Sequence, residues 1–169
     1  LLGLAPLLQA CSPIRLINAT VPSNTHTVLR DEAYGSAARQ RMDVYLPADK
    51  APDAPIAVFF YGGSWSSGER TDYKFVGEAL ASRGIVTVIA DYRLSPEVRY
   101  PVFLQDCALA VRWARDNAQR LGSSPDRLFV TGHSAGAYNA AMLALDARWL
   151  SEVNMQQGEL AGWAGLAGP

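Results

Sequence analysis

Residues 127–136 read RLFVTGHSAG. Leu128, Phe129 and Val130 make a continuous apolar centre, which suits a strand covered on both faces. Gly132-His133-Ser134-Ala135-Gly136 then interrupts the run, and residues 135–150 continue with helical spacing. The same grammar recurs on the N-terminal side. IAVFFY (56–61) and IVTVIA (85–90) are apolar runs of strand length, the first stopping at Gly62-Gly63. Between them, Phe75, Val76, Ala79 and Leu80 fall on one face of a helix over 72–83, and Gly84 stands where its C-terminus would be. Residues 103–121 form a further helix, with Leu104, Ala108, Val111 and Arg115 along one side and Gly122 ending it. Residues 162–166 begin another strand. Apolar strands alternating with amphipathic helices predict a parallel sheet with helices on both faces.

Farther out, HTVLRDEAYG (26–35) and RQRMDVYLP (39–47) flank Gly35-Ser36-Ala37 and read as an antiparallel hairpin. Arg41, Asp43 and Tyr45 alternate with Met42, Val44 and Leu46, the period of a half-buried strand. Residues 48–55 are a polar, Pro-rich loop. The expected fold is therefore α/β and three-layered, a mostly parallel sheet with an N-terminal antiparallel hairpin. The length of 169 residues suits one domain or part of a larger one. With 49% hydrophobic residues the chain is too apolar to be disordered, and 15 Lys and Arg against 16 Asp and Glu make nucleic acid a poor partner. Two cysteines, at 11 and 107, cannot form a disulfide framework.

The chain opens on LLGLAPLLQAC (1–11), apolar but too short to span a bilayer. It reads as the remnant of a secretory signal's apolar segment. LQAC followed by Ser12 resembles a bacterial lipobox, whose cysteine is the lipidated residue. That resemblance implies export, and either a periplasmic location or membrane anchoring through Cys11. Residues 12–25, rich in Pro, Ser, Asn and Thr, would then be a tether outside the fold, with 26–169 forming the domain.

The GxSxG pattern at 132–136 is weak evidence by itself. Its setting, after an apolar strand and opening a helix, is the one a nucleophile elbow needs. Small residues must flank a serine on so tight a turn, and the helix N-terminus adds partial positive charge where an anion develops. The alternative is a plain turn with Ser134 as helix N-cap. Tyr61-Gly62-Gly63-Ser64-Trp65 ends the first apolar strand, at the carboxyl edge where ligands bind in such sheets. Acyl transfer needs N–H donors from such a loop and from the residue after the nucleophile, and glycines allow close backbone approach.

MDVYLP (42–47), YGGSW (61–65), DYRLSPE (91–97), YP (100–101), QDCALAVRWARDN (105–117) and GHSAG (132–136) occur in order over most of residues 40–145. In these segments the chain resembles α/β-hydrolases of the carboxylesterase type, closest to hormone-sensitive-lipase-like esterases and their bacterial, arylformamidase-like relatives. The family usually carries His at the position of Tyr61 and often Gly at that of Ser64. The resemblance implies Ser134 as nucleophile, backbone donors from Gly63, Ser64 and Ala135, and a small-molecule ester as substrate.

A serine nucleophile needs a base and an orienting acid, in this fold in the order Ser, acid, His. No histidine follows Ser134, and only Asp146, Glu152 and Glu159 are acidic after it. The expectation is that the chain is the N-terminal part of a longer hydrolase, with its triad acid and histidine beyond residue 169, and that alone it turns over little ester. His133, inside the turn, reads as structural, His26 as a surface residue of the hairpin, Asp91 as a hydrogen-bonding residue and Cys107 as buried packing. Trp65 is either core or the wall of an acyl pocket. No metal-binding spacing and no nucleotide loop occurs, so no metal or cofactor is expected. Two other functions share the fold: a prolyl-oligopeptidase-type peptidase, and a non-catalytic surface-binding lipoprotein.

Overall fold

A computed structural model describes residues 13–49 and 51–169. Six strands form one sheet in the order β1-β2-β4-β3-β5-β6. Strands β1 (His26–Ala33) and β2 (Arg41–Pro47) make the antiparallel hairpin, and β2 also pairs antiparallel with β4 (Val86–Ala90). From there β4, β3 (Ala54–Phe60), β5 (Ser123–His133) and β6 (Gly162–Leu166) run parallel. This is the mixed sheet anticipated from the alternation of strand and helix.

The register assigns the two faces. Ala57 pairs with Phe129 and Phe59 with Thr131, and these side chains share one face with helix α2 (Lys74–Ala81). Ile56, Val58, Phe60, Leu128 and Val130 point the other way and are fully buried. Against that second face lie α3 (Val102–Asn117) and α4 (Ala135–Leu145), which also touch each other. Helices thus cover both faces, but unequally. On the α2 side Phe59, Phe75, Val76, Leu80, Phe129 and Leu166 line an open groove of about 510 Å³. Phe129 keeps 36% of its surface exposed and Leu166 58%. The central apolar run of β5 is therefore buried on one face only, against the expectation of cover on both.

Several boundaries differ from those read in the sequence. The helix expected over 72–83 is a 3-10 turn, Arg70–Tyr73, followed by the eight residues of α2. The helix expected over 135–150 breaks at Asp146, whose backbone is extended and whose carboxylate accepts the Arg148 N–H. An aspartate that bonds local backbone competes with the helix ladder, so a new short helix, α5 (Ala147–Ser151), starts there. The stretch expected to be a free tether holds α1 (Pro13–Ala19), which is docked on the fold. Asn18 donates to the carbonyls of Thr71 and Asp72 at 3.2 and 2.9 Å and accepts the Phe75 N–H. His26, expected at the surface, is 8% exposed, with its ring 5.3 Å from that of Tyr45. The signal-like segment and Cys11 lie outside the described residues. Among the described residues no helix is long and apolar enough to cross a membrane.

Candidate active site

The two Gly-containing bends meet. β5 ends in Gly132 and His133, and the chain then reverses through Ser134 (φ 52°, ψ −121°) into α4. A positive φ at a non-glycine residue is strained and survives only where its surroundings impose it. Here they do. The Ser134 N–H donates to the Leu166 carbonyl of β6 at 2.8 Å, and its carbonyl accepts from Ala137 and Tyr138 at 2.9 and 3.2 Å. A Cβ on Gly136 would lie 1.9 Å from the carbonyl oxygen of Phe60, so only glycine lets α4 start against β3. The Ser134 side chain does not cap the helix. Ser134 therefore stands at the N-cap position of α4 without its half-buried hydroxyl making the capping bond.

The second bend leaves β3 through buried Tyr61 and Gly62. A Cβ on Gly62 would come within 3.0 Å of the Ser134 Cβ, which fixes how closely the bends approach. Gly63 has φ +125°, and Ser64 and Trp65 are also left-handed, at 51° and 56°. The Gly63 carbonyl accepts the N–H groups of Ser66 and Ser67 at 3.0 and 3.1 Å. Trp65 Nε1 donates to Asn139 Oδ1 of α4 at 2.9 Å, and its ring stacks on Phe103 of α3. Trp65 therefore both packs in the core and ties this bend to the helix that starts at the other. Gly63, Ser64 and Ala135 are thus gathered at one end of the sheet with Ser134. Among the described residues their amide N–H groups have no hydrogen-bond partner.

Beneath the second bend lies a charged and aromatic bed. Tyr61 stacks between Tyr92 and Tyr73, with centroids 4.9 and 5.7 Å away. Burial, and then Asp91, raises the Tyr61 pKa far above its ordinary value, so the hydroxyl stays protonated and donates to Asp91 Oδ1 at 2.8 Å. Asp91 also pairs with the Arg70 guanidinium, which reaches Asp43 at 3.0 Å and Asp31 at 2.7 Å. Asp91 is therefore the hydrogen-bonding residue the sequence suggested. Burial raises the Tyr73 pKa, with the nearby Gly62 amide opposing. Tyr73, Arg39, Arg70 and Asn139 escaped the sequence reading because none lies in either motif; only folding brings them there.

The two histidines are apart from each other. His26 is in the hairpin, and its Nδ1 is 3.0 Å from Thr25 Oγ1. His133 is exposed on the α2 side, beside Phe59, Tyr73 and Leu166. Cys107 is wholly buried, and burial pushes its thiol pKa well up, the state of a packing residue and not of a nucleophile. Among the described residues no group of His, Cys, Asp or Glu is placed to hold a metal ion.

Residues 42–160 match the BD-FAE family. Carboxylesterase NlhH of Mycobacterium tuberculosis is 39% identical over 106 residues, covering 62% of this chain and 33% of that protein. The isoprenylcysteine alpha-carbonyl methylesterase ICME of Arabidopsis thaliana is 33% identical over 119 residues, covering 70% of this chain and 28% of that one. The crystal structure of esterase B from Lactobacillus rhamnosis superposes with a TM-score of 0.78 at 22% identity, over 92% of this chain and 52% of the other. The chain thus spans about a third of the length of those curated relatives and about half of the solved one. On its family match the chain belongs to the BD-FAE family, and the relatives and solved structures it resembles are esterases of the α/β-hydrolase superfamily.

Proposed function

We propose that this chain is the nucleophile-bearing part of a hydrolase of small carboxylic esters. Ser134 Oγ attacks the ester carbonyl carbon as its proton passes to a histidine base. The carbonyl oxygen becomes an oxyanion held by the N–H groups of Gly63, Ser64 and Ala135. Collapse breaks the C–O bond to the alcohol, which takes the proton from the base. Water then repeats the sequence on the acyl-serine and releases the acid. The observation that carries this reading is the uncapped Ser134 hydroxyl on a strained turn, with Gly62 packed against it. The relatives' names, a carboxylesterase and a methylesterase, point to the same bond.

No histidine follows Ser134 within residues 1–169, and these residues alone turn over little ester. Cys11, once lipidated, anchors the exported protein; palmitate incorporation lost in Cys11→Ala tests that point separately. Steady-state kinetics on the full-length protein test the function. Short-chain aryl esters should be cleaved and proline-containing dipeptide amides should not. Faster cleavage of the amides would overturn the ester assignment.

A further inference from the structure

We propose that the Tyr61 hydroxyl, held by Arg39 and Asp91, is the positioning group that sets the oxyanion bend, an inference resting on the ester-hydrolase reading. The bend leaves β3 at Tyr61 and rejoins the fold at Arg70. Both of its feet are tied to one atom. Asp91 Oδ1 accepts the Tyr61 hydroxyl at 2.8 Å and the Arg70 backbone N–H at 2.8 Å. Arg39 reaches in from the hairpin and closes the ring. Its Nη2 donates to Tyr61 Oη and to the Gly68 carbonyl, both at 2.8 Å, and its Nε donates to the Tyr92 carbonyl at 3.0 Å. The Tyr92 hydroxyl donates to the Tyr61 carbonyl at 2.7 Å.

Tyr61 is 0% exposed, so water cannot replace these partners. A buried polar network in which every member is satisfied rigidifies what it holds. What it holds here is the segment from Gly63 to Ser67, whose internal bonds all run to the Gly63 carbonyl and leave the Gly63 and Ser64 amides free. The network therefore fixes the height and tilt of the donors without touching substrate. Loosening one foot shifts donors that must meet an oxyanion to within a fraction of an ångström, and such displacements cost rate more than binding.

The test compares Tyr61→Phe, Arg39→Met and Ser134→Ala in the full-length protein on a short-chain aryl ester, with affinity for an aryl boronic acid as a tetrahedral mimic. Tyr61→Phe should lower kcat about tenfold, leave KM within about twofold, and weaken boronate binding in parallel with kcat. Arg39, partly exposed at the surface, is the variant that decides if Tyr61→Phe does not fold, with the same expectation. A kcat within twofold of wild type in the deciding variant, or a rise in KM alone, overturns the positioning role while an inactive Ser134→Ala leaves the hydrolase reading standing. Turnover by Ser134→Ala at the wild-type rate brings both down.

Discussion

At position 136 one hydrogen atom decides whether the turn can form. The Gly136 α-carbon faces the carbonyls of Phe60 and Tyr61, which a Cβ would meet at 1.9 and 2.6 Å. Both are backbone atoms and cannot rotate away. Gly136→Ala should cost roughly 2–3 kcal/mol or more in urea unfolding, the range of an overpacked core. His26 offers a second test at this scale. Burial lowers its pKa, with Glu78 opposing, so the folded state binds a proton less readily than the unfolded chain. Its contribution is therefore complete above the unfolded value of about 6.5 and is lost as pH falls through the lower folded value. His26→Gln should lose less stability than wild type between pH 7 and pH 5; an identical loss in both would remove His26 from that slope. Ser134 and the two glycine bends were legible because each carries a backbone demand only a few residues meet. The burial of His26 was not, because it depends on Tyr45 across the hairpin.

Among the elements, α3 is fastened to the sheet edge by one buried carboxylate. Asp106 is fully buried and accepts the Arg93 N–H at 2.9 Å, Arg93 Nε and Nη2 at 2.9 and 2.7 Å, and Gln40 Nε2 at 2.8 Å. Removing it strands a guanidinium and a buried amide. Asp106→Ala should cost about 3 kcal/mol in chemical denaturation, whereas exposed pairs such as Arg120 with Glu32 should cost under about 1 kcal/mol. Strands were readable from continuous apolar runs where both faces are covered, as in β3 and β4. The reading failed where a side chain outvoted periodicity. Asp146 ends α4 by bonding local backbone, and Asn18 docks a segment whose composition resembles a linker.

For the whole molecule, the unequal cover of the sheet is the dominant feature. The α2 side leaves Phe129, Leu166 and neighbours of β6 facing an open groove, and among the described residues β6 pairs only with β5. An exposed apolar face beside a free strand edge invites association. Residues 1–169 produced alone should bind a dye such as ANS and self-associate, and Phe129→Gln with Leu166→Gln should reduce both; a dye-silent monomer would contradict this. The antiparallel hairpin and the parallel strands follow from strand type and sequence rules, but cover over β5 and β6 depends on what packs there, which a local apolar run cannot report.

The central claim is that Ser134 is the reacting group, and covalent labelling tests it most directly. The full-length protein treated with a fluorophosphonate and digested should carry the phosphonyl group on the peptide containing Gly132-His133-Ser134-Ala135-Gly136, at Ser134, with no label in Ser134→Ala. A phosphonyl group on another residue, or equal labelling of the alanine variant, would contradict the account.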